Sequence, residues 1–141
     1  MLTLAIIKPD AVAAHQTGKI LAHLEDAGFV PRAARLVRLE RAQAEAFYAV
    51  HRDRPFFSSL VAFMCSGPAL ALVLERQDAV PVLRDTIGAT DPAQAKPHTI
   101  RKLFAQSKER NAIHASDSPE NAAREVAFFF PEAELAALGT P

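Results

Sequence analysis

The residue with most chemical promise is His114, which sits in Asn111-Ala112-Ile113-His114-Ala115-Ser116-Asp117-Ser118 with short polar groups on both sides. A solitary histidine is ordinarily a surface residue or a satisfied core residue. Four other residues, however, break their own local patterns. Arg84 projects at helical spacing onto the apolar stripe of Val80, Leu83 and Ile87, where a full charge is costly unless an anion pairs with it. Glu125 lies on the flank of the face made by Ala122 and Phe129, so its carboxylate needs a donor. Tyr48 and Phe56 do the reverse and sit off the apolar stripes around them, which predicts rings facing solvent or a cleft. Singly, each reads as an edge-of-core side chain that snorkels. Together they weaken that reading. With Lys8 and Arg101 added, the inventory is an imidazole, a carboxylate to orient it and cations for a transferring anion, as transient phosphorylation of a histidine nucleophile requires.

The remaining candidates are weaker. His23, His51 and His98 have no Cys or carboxylate partner at zinc spacing, and Cys65 in an apolar helical stretch reads as a small buried thiol. Neither G-x-x-x-x-G-K-[ST] nor G-x-G-x-x-G occurs, so any bound phosphate must be held by side chains.

The elements that must position these groups alternate strand and helix. Residues 2–7 form a short apolar, β-branched run ended by Lys8-Pro9-Asp10, which predicts a buried strand. A helix follows on Ile20, Leu21, Leu24 and Ala27, with Thr17 as N-cap and Gly28 as stop. Residues 29–39 read as extended, with Pro31 marking an edge or an interruption. Two helices come next, one from Arg41 to His51 striped by Ala42, Ala46, Ala49 and Val50 and one striped by Phe57, Leu60, Val61 and Met64, closed by Gly67-Pro68. Residues 69–74 form a central-strand candidate, and a helix on Val80, Leu83 and Ile87 runs to Gly88. Residues 89–99, with Pro92 and Pro97, read as a long functional loop. Residues 112–115 are a short strand, and Ser118-Pro119-Glu120 starts a helix that ends before Pro131. This order, β-α-β-β-α-β with extra helices, predicts an α+β ferredoxin-like sandwich: a four-stranded antiparallel sheet covered by helices.

A chain of 141 residues, half of them apolar, predicts one domain spanning 1–141 with its own core. Sixteen basic residues balance sixteen acidic ones, so no whole-chain field favours nucleic acid or an anionic membrane. Any anion must be met locally. A single cysteine, no basic n-region ahead of the first apolar run and no membrane-length apolar stretch predict a soluble, cytoplasmic protein.

Several spaced motifs resemble the nucleoside diphosphate kinase family over essentially the whole chain. They are Thr3-Leu4-Ala5-Ile6-Ile7-Lys8-Pro9-Asp10-Ala11-Val12, Asp53-Arg54-Pro55-Phe56-Phe57, Ser66-Gly67-Pro68, Gly88-Ala89-Thr90-Asp91-Pro92, Thr99-Ile100-Arg101, and Asn111-x-x-His114-x-Ser116-Asp117-Ser118. The resemblance implies the ferredoxin-like fold and ping-pong transfer of a γ-phosphoryl group from a nucleoside triphosphate such as ATP to a nucleoside diphosphate. It makes His114 the phosphorylated nucleophile, Glu125 the carboxylate that orients it and Ser116 the support for Glu125. Lys8, Tyr48, Arg84, Thr90, Arg101 and Asn111 would hold phosphates or ribose, and Phe56 would stack on the base. Mg2+ would travel with the phosphates, reaching Asp117 at most through water, and a homo-oligomer is implied. The chain departs from the family pattern at Ala115 and His98, where glycine is commonest, at Lys102-Leu103, at Arg76 in place of a turn glycine, and at Lys108, where an aliphatic residue often meets the base.

Two other classes share the element order. An RNA-recognition domain needs aromatics on a central strand and a basic surface, and residues 69–74 hold no aromatic while the net charge is zero. A small-molecule regulatory module has no use for His114 and its polar neighbours. A family member kept for partner or DNA binding, with incidental catalysis, is compatible with the same residues.

Overall fold

In the computed structural model, which describes residues 1–137, strand β1 (Leu2–Ile7) is buried on both faces from Thr3 onward. That is why its sequence is a continuous apolar run rather than an alternation. It lies inside a four-stranded antiparallel sheet of order β2-β3-β1-β4, completed by β2 (Val30–Val37), β3 (Ala69–Glu75) and β4 (Ile113–Ala115). Alternate residues of β1 and β3 feed two separate cores. Ala5, Ile7, Leu72 and Leu74 pack against helices α2 (Thr17–Asp26) and α5 (Ala79–Ile87) through Ile20, Leu24, Leu83 and Ile87. Leu4, Ile6, Ala71 and Val73 pack on the other face against α3 (Arg41–Phe47), α4 (Phe57–Met64) and α7 (Pro119–Phe129) through Ala44, Phe47, Leu60, Val61, Met64, Val126 and Phe129. Each fully buried Leu, Ile or Phe contributes about 1.5–3 kcal/mol. The fold is the ferredoxin-like α+β arrangement expected, with helices on both sheet faces.

The local signals account for most boundaries. Gly28 ends α2 at φ 91°, and the Ser118 hydroxyl accepts from the Asn121 N–H to cap α7 with Pro119 at its first position. Pro31 sits at a register shift of β2, an edge strand, where its missing N–H is tolerated.

Other expectations fail for identifiable reasons. Thr17 is the first residue of α2 and Gln16 the N-cap, with no side-chain cap. The segment read as one helix from Arg41 to His51 divides into α3 and a 3-10 turn (Ala49–His51). Its assumed stripe is exposed: Ala42, Ala46, Ala49 and Val50 face solvent while Ala44, Phe47 and Tyr48 are buried. Large rings gain more by burial than alanine methyls, so the helix turns toward the aromatic face. Tyr48 therefore stays in the core, 5% exposed, and lines a cleft from there. Three short helices, α1 (Pro9–Ala13), α6 (Ile100–Phe104) and α8 (Glu132–Ala137), carried too few residues to show a period. Cys65 is half-buried and unpaired rather than fully buried. The end of the expected domain, residues 138–141, lies outside the described residues.

Candidate active site

The strand β4 pairs His114 with Ile6, which turns the imidazole onto the sheet face shared with α3 and α7. There the ring meets Phe47 edge-on at 5.3 Å and Tyr48 at 5.9 Å, while its side chain keeps 19% of its surface. It is held but reachable. The Nε2 atom and Glu125 Oε1 are 2.8 Å apart, and the same oxygen accepts from the Ser116 hydroxyl at 2.7 Å. Glu125 Oε2 faces the Arg124 guanidinium at 3.5 Å. Burial pushes the Glu125 carboxyl upward, but the hydrogen bond and charge of His114, the Ser116 hydroxyl and Arg124 hold it below its ordinary value. Burial also pulls the His114 pKa down, helped by Lys8 and Arg101 and opposed by Glu125. A neutral imidazole donating Nε2–H to an ionised carboxylate is the resulting state.

Around His114 opens a cleft of about 530 Å³, within the range of small-molecule sites. Every site residue singled out above except Ser116, that is Lys8, Tyr48, Phe56, Arg84, Thr90, Arg101, Asn111, His114, Asp117 and Glu125, lines it. Ser116 is buried behind Glu125. Lys8, at the N-cap of α1, donates from Nζ to Asn111 Oδ1 at 2.8 Å, and Asn111 Nδ2 donates to the Thr90 carbonyl at 3.2 Å. Burial, with Arg101 adding to it, lowers the Lys8 pKa to about 8. Arg101 donates to the Gly88 carbonyl at 3.0 Å and the Ile113 carbonyl at 2.7 Å, leaving Nε buried without a partner. Burial and Arg84 lower its pKa to about 10, so it stays charged at neutral pH. The Tyr48 hydroxyl is likewise buried without a partner, and burial and Glu125 push its pKa up, which keeps it a donor. Gly88 is required at φ 90°, because a Cβ there would stand 2.6 Å from Thr99 Oγ1.

Arg84 corrects the sequence reading. Its side chain is exposed at the rim of the cleft rather than buried in the stripe of α5, with one long contact of 3.5 Å to the Ala115 carbonyl. A long side chain can leave a stripe at its tip. No gain in stability is therefore expected from removing its charge. Phe56 is 46% exposed, with His51 tilted against it at 5.4 Å. Sequence reasoning missed Phe47 and Arg124. The misread stripe of α3 hid the first. No local signal marks Arg124, whose guanidinium also lies 5.9 Å over the Phe47 ring.

The model of nucleoside diphosphate kinases matches residues 2–135. The chain belongs to the nucleoside diphosphate kinase family. A nucleoside diphosphate kinase of Bordetella avium is 59% identical over 133 residues, 94% of each chain, and one of Nitrosospira multiformis is 55% identical over the same share. Among solved structures, the Aquifex aeolicus nucleoside diphosphate kinase matches with TM-score 0.92 at 47% identity, covering 94% of this chain and 96% of that one. A Halobacterium salinarum nucleoside diphosphate kinase in complex with CDP matches with TM-score 0.91 at 38% identity, over 95% and 90%.

The departures from the family pattern have local consequences. Ala115 lies in a regular strand at negative φ and needs no glycine, whereas His98 occupies the left-handed region at φ 69°. Arg76 donates to the Ala27 carbonyl at 2.8 Å and so helps to close the C-terminus of α2. Lys102, Leu103 and Lys108 are exposed, Lys108 at the cleft.

Proposed function

We propose that the protein is a nucleoside diphosphate kinase that passes the γ-phosphoryl group from a nucleoside triphosphate to a nucleoside diphosphate through phosphohistidine at His114. The observation that carries this reading is the Glu125 carboxylate held on His114 Nε2 at 2.8 Å in a cleft lined by Lys8, Arg84 and Arg101. With Nε2 committed to Glu125, the lone pair of Nδ1 is the one free to attack. In the first half-reaction an Nδ1–P bond forms, the bond from phosphorus to the bridging oxygen breaks, and the electron pair leaves with the diphosphate. In the second, the terminal oxygen of another diphosphate attacks phosphorus and the electron pair returns to Nδ1. Glu125 stabilises the positive charge on the ring while the phosphate is carried, and Ser116 fixes that carboxylate. Lys8 and Arg101 meet the spreading negative charge of the transferring group, with Arg84 at the rim. The orphan donors Tyr48 Oη and Arg101 Nε support a polar ligand in the cleft.

Initial rates measured at several fixed concentrations of one nucleotide should give parallel double-reciprocal lines, the pattern of two separated half-reactions. Intersecting lines would mean a direct transfer between two bound nucleotides.

Magnesium fits as part of the nucleotide. Among the described residues no group of three or more His, Cys, Asp and Glu side chains is disposed to hold a metal ion. Asp117, a carboxylate kept acidic chiefly by its hydrogen bond from Asn121, would reach the ion through water. There the ion would neutralise phosphate charge.

Opposite limbs are expected in the pH profile of kcat/KM. Attack needs His114 neutral, and its pKa is lowered, so activity should persist below the ordinary histidine range and fall only as pH drops further. Lys8 must stay protonated, and activity should fall as pH rises through about 8. Lys8→Arg should move that alkaline limb to higher pH. A profile of Lys8→Arg superimposable on wild type would remove Lys8 from the assignment.

Stacking on Phe56 serves every base, so low base selectivity is expected. Phe56→Ala should weaken all nucleotides by roughly 1–3 kcal/mol without changing their order. Lys108→Ala should matter less, since its stem alone covers a base. A wild-type preference above about a hundredfold for one base, under matched magnesium, would reveal a specific polar contact.

Association of copies of the chain is part of the same reading. It is supported by the open edge of β2, where Val30 and Leu36 are exposed, and light scattering across a concentration series tests it. An unpaired Cys65 is compatible with a reducing, cytoplasmic setting.

A further inference from the structure

Asp10 is a buried carboxylate that the phosphoryl-transfer scheme does not use. Its Oδ2 accepts from the Ala112 N–H at 3.1 Å, across the chain from helix α1 to the segment leading into β4. Ala112 has φ 74°, a left-handed conformation closed as a γ-turn by the Ile113 N–H donating to the Asn111 carbonyl at 2.9 Å, and a residue with a Cβ adopts it only when its surroundings hold it there. The surroundings are a three-residue corner. The Lys8 N–H donates to the Ala112 carbonyl at 2.8 Å, so Lys8 and Asp10 grip the peptide groups on either side of the strained residue, with the Pro9 ring stiffening the link between them.

What the grip controls is the site. Asn111, directly before Ala112, accepts from Lys8 Nζ and donates to the Thr90 carbonyl, and His114 follows two residues after Ala112. A flip of the peptide between Asn111 and Ala112 would carry the Asn111 side chain off Lys8 and loosen the entry into β4. We propose that Asp10 is a positioning residue: by holding Ala112 left-handed, it keeps Asn111 and His114 aligned with Lys8 for phosphoryl transfer. This rests on the function proposed above. The competing role, an acid in the first turn of α1, would stabilise that helix regardless of the residue at 112.

Glycine separates the two, because it adopts positive φ without strain. The rate of phosphorylation by ATP, kcat and nucleotide KM should be measured for wild type, Asp10→Asn, Asp10→Ala and Asp10→Ala with Ala112→Gly. Asp10→Ala should slow phosphorylation by about tenfold or more, with a smaller change in KM. Asp10→Asn, whose amide oxygen still accepts, should stay within about threefold of wild type. Ala112→Gly should restore most of the loss. A chain with Asp10→Ala that folds only when Ala112→Gly accompanies it would support the clamp equally. Wild-type rates in Asp10→Ala, or a loss that glycine leaves untouched, would overturn it. Amide exchange at Ala112 in the nucleotide-free protein reads the clamp apart from catalysis: it should be faster in Asp10→Ala than in wild type, and an unchanged rate counts against the proposal. A wild-type protein that takes no phosphate would instead overturn the function on which it rests.

Discussion

Turnover in His114→Ala is expected to fall by a factor on the order of 10⁶, the scale of loss when a covalent nucleophile is deleted. No neighbouring group can take over. Tyr48 is held protonated, and the buried Glu125 carboxylate is engaged by His114, Ser116 and Arg124. The variant should still fold, since His114 is partly exposed and packs by ring edges on Phe47 and Tyr48. Glu125 loses one of its hydrogen-bond partners but keeps Ser116 and Arg124, so a stability cost of about 1–3 kcal/mol is expected from the partly unsatisfied carboxylate. Activity and melting temperature, measured together, separate the two effects. Substantial turnover in a folded variant would end the phosphohistidine mechanism.

The second large effect is expected at Arg101. Its guanidinium is buried and bonded to the carbonyls of Gly88 and Ile113, so its charge is already oriented before any ligand arrives. Loss of one preorganised donor to a developing charge costs about 3–4 kcal/mol, which is a fall in kcat of roughly 10²–10³ in Arg101→Ala. A KM nearly unchanged is expected, because the contact is made mainly in the transition state. Arg101→Lys keeps the charge but not the planar fork that spans two carbonyls, and should recover only part of the rate. Near-normal kcat in Arg101→Ala would reduce Arg101 to a strut between α5 and β4.

How much of this was legible in the sequence depends on the length of the signal. β1 and β3 are recognisable because burial on both faces demands continuous apolar runs, and α7 because Ser118-Pro119 caps it. The segment 41–51 misleads because four alanine and valine positions, Ala42, Ala46, Ala49 and Val50, outnumber the two aromatic ones, Phe47 and Tyr48, while burial follows ring area rather than count. Tyr48 accordingly reads as an outlier, although it is a core residue that also lines the cleft with its hydroxyl buried. For Arg84 the helical position was right and the burial was wrong. For Glu125, on the flank of its face, the donors it needs are His114, Ser116 and Arg124. The grip of Asp10 on Ala112 spans the length of the chain between them, and no periodicity reports such a contact. Ala112, at positive φ, carries no mark in its own residue type, whereas His98, also at positive φ, stands where the family pattern has glycine.

The central claim is a phosphate carried on His114, and labelling tests it most directly. Wild-type protein mixed with magnesium and ATP labelled at the γ-phosphate, then freed of nucleotide, should retain label that is acid-labile, alkali-stable and located on His114. Adding an unlabelled nucleoside diphosphate should move that label into triphosphate. Label absent from the protein, or present and not transferable, would contradict the mechanism.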